Sequence, residues 1–308
     1  MTASEETEFG TVRVHVPAKL NLTLRVGPVR KDGYHPVATL YQAVSLYDEV
    51  AVTEGEPGRI SVEVSGEGAS GVPVDRTNLA VKAAELLRKK YGSPDLGARI
   101  VIRKQIPVAG GMAGGSADAA GALLGCSVLW DLDTSPADLQ TLGGRVGSDV
   151  PFALMGGCAV GTGRGEQLVP ALSRGSFHWV LAFAAKGLST PAVYGRFDEL
   201  GDVDPDLSVP PVLMNALAAA DARGVGEALT NDLQPAALAL YPELRRTLDA
   251  GMECGALGGI VSGSGPTVAF LAADENAAVD LSVRLSSEGV ARSVRRVAGP
   301  VHGARLIA

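Results

Sequence analysis

A glycine-rich segment in the first half of the sequence runs directly into a helical pattern. Four of the six residues 110–115 are glycine, and apolar residues at helical spacing follow Ser116. The first turn of a helix has unpaired N–H groups and the positive end of the helix dipole, so it attracts anions. Glycine lets the backbone approach such a ligand without a Cβ clash. The segment therefore predicts a phosphate-binding loop, although a strand-to-helix turn that needs glycine for close packing explains the pattern equally well.

This loop differs from the two common glycine-rich nucleotide motifs. Gly115 is followed by Ser116 and Ala117, whereas the usual P-loop has a Lys-Ser/Thr pair after its last glycine. A GxGxxG pattern does occur at residues 66–71, but VPVDRTN follows it and no helical pattern begins there. We therefore interpret residues 66–71 as a surface turn.

Two polar side chains share one face of a strand pattern near the start of the sequence. From Val12 to Val26 the even positions are apolar, while Lys19 and Asn21 occupy odd positions. The alternation predicts a strand with one buried face, and on the other face Lys19 and Asn21 lie roughly 7 Å apart, where both can point at one substrate. A single lysine on a strand is more often a solvated surface residue.

A carboxylate lies in the segment GSDVPFAL. Asp149 precedes Val150 and Pro151, so an N-cap is its simplest interpretation. Phosphoryl transfer to an alcohol needs a base for the hydroxyl proton, a cation for the developing charge and donors for the phosphates. Asp149, Lys19 and the glycine-rich loop together provide these groups, and the sequence offers no evident triad for a covalent route.

The elements that must position these groups alternate between strands and helices. In the first half we predict strands at residues 12–26, 38–52, 59–64 and 98–102, and helices at 78–91, from 116 and from near 135. In the second half we predict helices between residues 190 and 250 and at 275–289, and strands at 177–184, 258–263, 267–273 and 290–297. These elements form two α+β units, predicted as domains 1–169 and 170–308.

Composition narrows the class of protein. The chain has 308 residues, 46% of them hydrophobic and 20% charged, which is typical of a soluble protein of about two domains. No apolar run approaches the roughly 18 residues of a membrane span, and MTASEETEFG is acidic, so we expect a cytoplasmic protein with no membrane partner. A net charge of -7 argues against a nucleic-acid partner. Cys126, Cys158 and Cys254 are widely spaced, and we expect buried, reduced thiols.

Three segments resemble, in order and spacing, the motifs of the GHMP kinase superfamily. They are PAKLNLTLRVGPVRKDGYHPVATLYQAV, PVAGGMAGGSADAA with GSDVPF, and GGIVSGSGPTVAFL. The resemblance covers essentially the whole chain, and DGYH is most similar to members that phosphorylate a cytidine-diphosphate-linked methylerythritol in non-mevalonate isoprenoid biosynthesis. It implies an α+β fold with an N-terminal ATP-binding α/β domain (ribosomal protein S5 domain 2-like) and a ferredoxin-like C-terminal domain. The small-molecule substrate would lie in the cleft between them.

The resemblance also implies roles for the reacting groups. Asp149 matches the catalytic base, Lys19 the lysine that lowers the pKa of the attacking hydroxyl, and Asn21 a residue that positions this hydroxyl. Ser116 would contact phosphate or Mg²⁺. The residues that match the ATP phosphate loop are Gly110, Gly111, Met112, Ala113, Gly114, Gly115 and Ser116.

The remaining implied contacts hold the two substrates. Tyr34 and His35 match the pair that recognises the cytosine ring, and Tyr194 matches an aromatic residue that stacks on its other face. Thr190 would reach a diphosphate oxygen. The residues expected to flank the nucleotide are Asn78 and Lys104.

One departure and three alternatives accompany this interpretation. The family loop usually has more glycine and a second serine where this chain has Ala109, Ala113 and Ala117, so the sequence leaves undetermined which N–H groups face the phosphates.

Another GHMP reaction, either phosphorylation of homoserine, mevalonate or galactose or the related decarboxylation, would keep the loop but replace the cytosine-facing pair, Tyr34 and His35. A nucleotide-binding regulator with a dead site would lack the lysine or the aspartate, and a pure interaction module has no feature in its favour. The sequence is compatible with a monomer or a homodimer.

Overall fold

This computed structural model describes residues 10–201 and 206–307. The strand predicted to carry Lys19 and Asn21 lies in a sheet of eight strands. The central order is β12-β1-β2-β4-β3; β5 also pairs with β2 and β6, and β8 runs parallel to β1. The strands are β1 (Val12–Val26), β2 (Val37–Glu54), β3 (Ile60–Gly66), β4 (Ala98–Lys104), β5 (Cys158–Thr162), β6 (Gln167–Pro170), β8 (Thr230–Asn231) and β12 (Arg305–Ile307).

Four helices pack on this sheet, and the second of them carries the glycine-rich loop at its start. They are α1 (Leu79–Tyr91), α2 (Gly114–Leu129), α3 (Pro136–Val146) and α4 (Val150–Met155). Small residues let α2 lie close to β2, because a Cβ atom on Gly121 would come within 2.6 Å of Val50 and one on Gly125 within 2.7 Å of Val52. The first turn of α2 is therefore held rigidly over the sheet.

The second half of the chain has the predicted ferredoxin-like topology. Its antiparallel sheet has the order β11-β7-β10-β9, with β7 (Phe177–Phe183), β9 (Gly258–Val261), β10 (Val268–Ala272) and β11 (Ser293–Gly299). Helices follow β7 and β10 along the chain: α5 (Thr190–Leu200), α6 (Pro211–Ala219), α7 (Ala222–Glu227), α8 (Gln234–Leu240), α9 (Glu243–Glu253) and α10 (Glu275–Ser287). The predicted two-unit α+β architecture is thus confirmed.

The two halves share one apolar core. Alternate residues of β7 point to opposite faces, so Trp179 packs with the first sheet while Val180 packs with the helices of the second half. The indole N–H of Trp179 also donates to Oε1 of Gln42 at 2.8 Å. Because β8 and β12 return to the first sheet, the boundary between residues 169 and 170 stays a prediction.

The structure differs from the sequence expectations in three places. Both faces of β1 are buried from Val16 to Leu24, so the prediction of one buried face is wrong there, and Lys19 is not a solvated surface residue. Helix α2 begins at Gly114 rather than Ser116. Cys126 and Cys158 are buried, whereas Cys254 is partly exposed; all three thiols are free. Residues 66–71 form the expected exposed turn, with a 3-10 turn at Ala69–Gly71.

Candidate active site

Lys19 and Asn21 lie on β1 at the start of a buried chain of hydrogen bonds. The Lys19 ammonium donates to Oδ1 of Asn21 at 2.6 Å, and the Asn21 amide donates to Oγ1 of Thr39 at 2.8 Å. Thr39 donates in turn to the Thr23 carbonyl at 2.7 Å. Lys19 is 7% exposed and Asn21 2% exposed. The two side chains therefore have fixed orientations in a site from which most water is excluded.

Asp149 precedes helix α4 without capping it. It occupies the N-cap position, but its side chain accepts no hydrogen bond from the helix backbone. Its carboxylate instead faces β1 and β2: Oδ2 lies 3.8 Å from the Lys19 ammonium, and Oδ1 accepts from the Tyr41 hydroxyl at 3.1 Å. The carboxylate is thus directed at the predicted catalytic lysine rather than used to stabilise α4.

Burial changes the protonation chemistry around this carboxylate. It lowers the pKa of Lys19, an effect that the charge of Asp149 partly offsets. Burial, and then the charge of Asp149, raise the pKa of Tyr41 well above its ordinary value. The same two causes raise the pKa of Tyr194 to about 12. Both phenols therefore stay protonated at neutral pH, while Lys19 is a more acidic ammonium than a solvated lysine.

The glycine-rich loop turns tightly before α2. Ala109, Gly111 and Ala113 all have positive φ, at 53°, 76° and 61°. Ala113 is the N-cap of α2, so the N–H groups of Gly114, Gly115 and Ser116 form the first turn, where a helix has no internal acceptors for them. Alanine accordingly adopts the left-handed conformation at two positions where glycine would be easier. The loop presents a row of N–H groups to the cleft.

The loop is fixed to both halves of the chain. The Lys19 N–H donates to the Met112 carbonyl at 3.3 Å, and Ser262, which follows β9, donates through its hydroxyl to the Gly111 carbonyl at 3.1 Å. A Cβ atom on Gly111 would lie 2.1 Å from the Ser262 carbonyl oxygen, so only glycine fits there. The motif GGIVSGSGPTVAFL therefore packs directly against the glycine-rich loop.

Lys104 belongs to a buried charge cluster under this loop. Its ammonium donates to Asp48 at 2.5 Å and to Asp118 at 2.8 Å, and Asp48 also accepts the N–H groups of Gln105 and Ile106. Burial, with the charge of Asp48, raises the pKa of Asp118 to about 7, while Lys104 opposes this rise. Although burial lowers the pKa of Lys104, the two carboxylates raise it overall. The cluster ties β2, β4 and α2 together behind the loop.

Asn78 has a structural task in addition to its place in the cleft. It is the N-cap of α1, accepts the N–H of Ala80 at 2.8 Å and donates to the Pro73 carbonyl at 2.7 Å. These bonds fix the amide at the edge of the cleft nearest residues 71–73.

The predicted base-recognition residues meet at the other end of the cleft. The His35 ring lies 5.0 Å from the Tyr194 ring, tilted by 36°, and its Nδ1 is 2.8 Å from the Gly27 carbonyl. Tyr34 is 53% exposed, and the Arg164 guanidinium lies 4.9 Å from the centre of its ring. Thr190 forms a hydrogen bond of 2.8 Å with Ser264. The rings of Tyr34, His35 and Tyr194 thus form an aromatic wall at this end of the cleft.

One cleft of about 1020 Å³ gathers nearly all the predicted residues. Two are not among its lining residues: Met112, whose side chain is fully buried, and Ser116, whose hydroxyl lies beside Gly147. The predicted residues that do line it are Lys19, Asn21, Tyr34, His35, Asn78, Lys104, Gly110, Gly111, Ala113, Gly114, Gly115, Asp149, Thr190 and Tyr194.

Sequence reasoning missed four groups at this site. Tyr41 and Thr39 look like ordinary strand residues in the sequence, and only the pairing of β2 with β1 brings them to Lys19 and Asn21. Asp48 and Asp118 lie far apart in the sequence, and nothing in its pattern links them to Lys104.

Comparison with known proteins agrees with this geometry. Family models described as "GHMP kinases N terminal domain" and "GHMP kinases C terminal" match residues 78–157 and 213–291. The chain belongs to the GHMP kinase superfamily. Relatives named 4-diphosphocytidyl-2-C-methyl-D-erythritol kinase include one from Mycolicibacterium smegmatis, 54% identical over 99% of this chain and 95% of its own, and one from Nocardia farcinica, 55% identical over 96% of each chain.

Solved structures give the same picture. A crystal structure of 4-(cytidine 5'-diphospho)-2C-methyl-D-erythritol kinase has a TM-score of 0.75 at 32% identity and covers 93% of this chain and 98% of that one. Homoserine kinase from Cytophaga hutchinsonii has a TM-score of 0.77 at 17% identity over 99% of this chain and 100% of its own, which shows a shared fold alone.

Within residues 10–201 and 206–307, no helix is long and apolar enough to cross a membrane.

Proposed function

We propose that this chain transfers the γ-phosphoryl group of ATP to the 2-hydroxyl of 4-diphosphocytidyl-2-C-methyl-D-erythritol, giving the 2-phosphate and ADP. The reaction would take place in the cytoplasm, in the methylerythritol phosphate pathway of isoprenoid synthesis. The names of the relatives support this substrate. The observation that carries the proposal is that one cleft is lined by Lys19 and Asp149, by the start of α2 and by the His35–Tyr194 pair.

Asp149 is the proposed general base. An alcohol is too weak an acid to ionise freely at neutral pH, so its proton must move to a carboxylate as the bond to phosphorus forms. Oδ2 of Asp149 takes this proton, the substrate oxygen bonds to the γ-phosphorus, and the bond from that phosphorus to ADP breaks. The carboxylate lies beside Lys19 and makes no side-chain bond to the α4 backbone, which supports this role over that of a helix cap.

Lys19 and Asn21 are proposed to stabilise and orient the reacting oxygen. A buried ammonium interacts strongly with negative charge, so Lys19 favours the alkoxide character of the transition state. Asn21 fixes the ammonium through the bond of 2.6 Å and holds its own orientation through Thr39. Because both side chains are buried, they need little reorganisation when charge develops.

The start of α2 is the proposed phosphate site. Its glycine backbone, free N–H groups and helix dipole suit the phosphates of ATP, with Asn78 at the edge of the cleft as a nucleotide contact and Lys104 beneath the loop. Mg²⁺ usually takes one or two protein ligands together with substrate phosphates, and the Ser116 hydroxyl is a suitable donor. Among the described residues, no group of three His, Cys, Asp or Glu forms a protein-only metal cage. When bound, Mg²⁺ would neutralise phosphate charge.

Tyr34, His35 and Tyr194 are the proposed cytosine site, with Thr190 directed at the diphosphate. The bond from His35 Nδ1 to the Gly27 carbonyl fixes the ring and leaves Nε2 facing Asp198 at 3.5 Å, at the edge of the cleft. Tyr194 supplies an aromatic face next to it.

The test is an ATP-consumption assay with the purified chain and Mg²⁺ over a set of alcohols. We expect rapid turnover of the cytidine-diphosphate-linked methylerythritol and little turnover of free methylerythritol or its monophosphate, because contacts to the cytosine help to position the hydroxyl. Homoserine and mevalonate serve as the competing substrates. Equal turnover with and without the cytidine group would contradict the proposed specificity.

A further inference from the structure

Tyr41 lies at the centre of the proposed site although its sequence position marks it only as a strand residue. It pairs with Asn21 across the β1–β2 ladder and is 3% exposed. The ring stacks on Phe152 of α4, with ring centres 4.8 Å apart, and the Lys19 ammonium lies 5.5 Å from the ring centre. The side chain thus contacts the catalytic strand and the helix that follows Asp149.

Two glycines make room for this side chain. A Cβ atom on Gly165 would lie 2.3 Å from the Tyr41 hydroxyl oxygen, and one on Gly161 would lie 2.6 Å from the ring. Gly165 also has a φ of 105°, which side-chain-bearing residues rarely adopt. The turn between β5 and β6 therefore packs against the phenol, and the hydroxyl donates to Oδ1 of Asp149.

We propose that Tyr41 is a positioning residue for Asp149: its hydroxyl donates to Oδ1, fixes the carboxylate, and leaves Oδ2 to take the proton of the substrate hydroxyl. This rests on the proposed function of Asp149. The two carboxylate oxygens have different neighbours, Tyr41 at Oδ1 and Lys19 at Oδ2. Because burial and the charge of Asp149 raise the pKa of Tyr41, the phenol keeps its proton over the working pH range.

A donated hydrogen bond also stabilises the ionised carboxylate over its protonated form. Three other titratable groups act on this pair: Lys19 of β1, Tyr194 of α5 and Glu166 before β6. Removing the phenol hydroxyl takes the donor from Oδ1 of Asp149 and leaves those three groups in place.

The test is Tyr41→Phe, which keeps the ring against Phe152 and removes the donor. With the cytidine-linked substrate, we expect kcat to fall about 10- to 100-fold, as for loss of a hydrogen bond to a charged group, with KM values for both substrates changed less than about two-fold. Tyr47→Phe is the matched control: Tyr47 lies on the same strand, stacks on His15 and should give wild-type kinetics.

A second measurement does not depend on turnover. The Asp149 carboxyl carbon can be followed by carbon-13 NMR in protein labelled at aspartate, with Asp149→Asn to assign the signal. At neutral pH its chemical shift should change in Tyr41→Phe, because Oδ1 loses the hydrogen bond from the phenol. An unchanged chemical shift, or a lower melting temperature with unchanged kcat, would show that Tyr41 only packs. If the wild-type protein fails to phosphorylate the substrate, the proposed function fails, while the chemical shift still decides the role of Tyr41.

Discussion

Substituting Asp149 by asparagine separates catalysis from structure at this site. Asparagine has the same shape and is as good an N-cap as aspartate, so α4 should be unaffected. In the wild-type chain Asp149 makes no side-chain bond to α4, so there is no capping interaction to lose. The Tyr41 hydroxyl can still donate to an amide oxygen. The main change is therefore loss of the carboxylate that is proposed to accept the hydroxyl proton.

The expected magnitude follows from these contacts. A general base contributes about 10²–10⁴-fold to kcat, which corresponds to roughly 2.7–5.4 kcal/mol of transition-state stabilisation. The proposed substrate-binding residues His35, Tyr194 and Thr190 are unchanged, so KM should change less than about three-fold. Loss of a capping bond would instead destabilise the fold by about 0.5–2 kcal/mol and leave kcat unaffected.

Steady-state kinetics and thermal melting measure both effects on the same preparation. Asp274→Ala is the matched control, because Asp274 is an N-cap that does accept a backbone N–H, that of Ala277 at 2.8 Å, on α10. It should lower the melting temperature and leave kcat unchanged, the reverse of Asp149→Asn. Near-normal kcat in Asp149→Asn would refute the assignment of Asp149 as the base, even though the family of the chain would stand.

Three further predictions concern the loop, the charge cluster and the cytosine site. Gly111→Ala should raise KM for ATP at least ~10-fold by displacing the loop from Ser262, while Gly255→Ala, also at positive φ but without a clash, should not. Burial raises the pKa of Asp118 to about 7, so the folded state binds this proton more tightly than the unfolded state does. The stability that the proton provides is lost as pH rises through 7. Because asparagine does not titrate, the melting temperature of Asp118→Asn relative to wild type should increase from pH 5.5 to 8.5. Tyr194→Ala should raise KM for the cytidine-linked substrate about 10-fold, whereas Tyr194→Phe, which keeps the ring, should change it little; equal KM values in the two variants would remove stacking from the explanation.

The sequence predicted those features that follow from local spacing. The bounds of β1 at Val12 and Val26 agree with the alternation of apolar residues, and Ser135 caps α3 as expected. The start of α2 was predicted two residues late, because Gly114 and Gly115 are poor helix formers by propensity and the packing of α2 on β2 overrides it.

Features that depend on distant pairing could not be predicted in the same way. Gly263, in the second half of the chain, helps to bury Lys19, since a Cβ atom there would lie 3.3 Å from the ammonium, and strand alternation alone cannot show that. Tyr41 lies beside Asp149 in space left by Gly161 of β5 and by Gly165 of the turn that follows. The short strands β8 and β12 have too few residues for a periodic pattern, and their pairing with β1 is long-range. Local propensity has no information on such contacts.

The edge of β1 is completed by three separate pieces of the chain. β12 pairs with residues 13–15, the Met112 carbonyl accepts the Lys19 N–H, and β8 pairs with Thr23 and Leu24. An uncovered strand edge is a template for pairing with other molecules. β12 comes after every other described element, so this edge stays open while the ribosome adds the intervening residues, roughly 15–55 s at ~5–20 residues per second.

During that interval the unpaired edge of β1 can pair with other molecules. β1 is long and apolar on one face, and the strands β8 and β12 that pair with its edge come late in the sequence. Folding of this chain is therefore dominated by contacts between residues distant in sequence, which form slowly. The strand that carries Lys19 is thus among the first to be synthesised, and its edge is among the last to be paired.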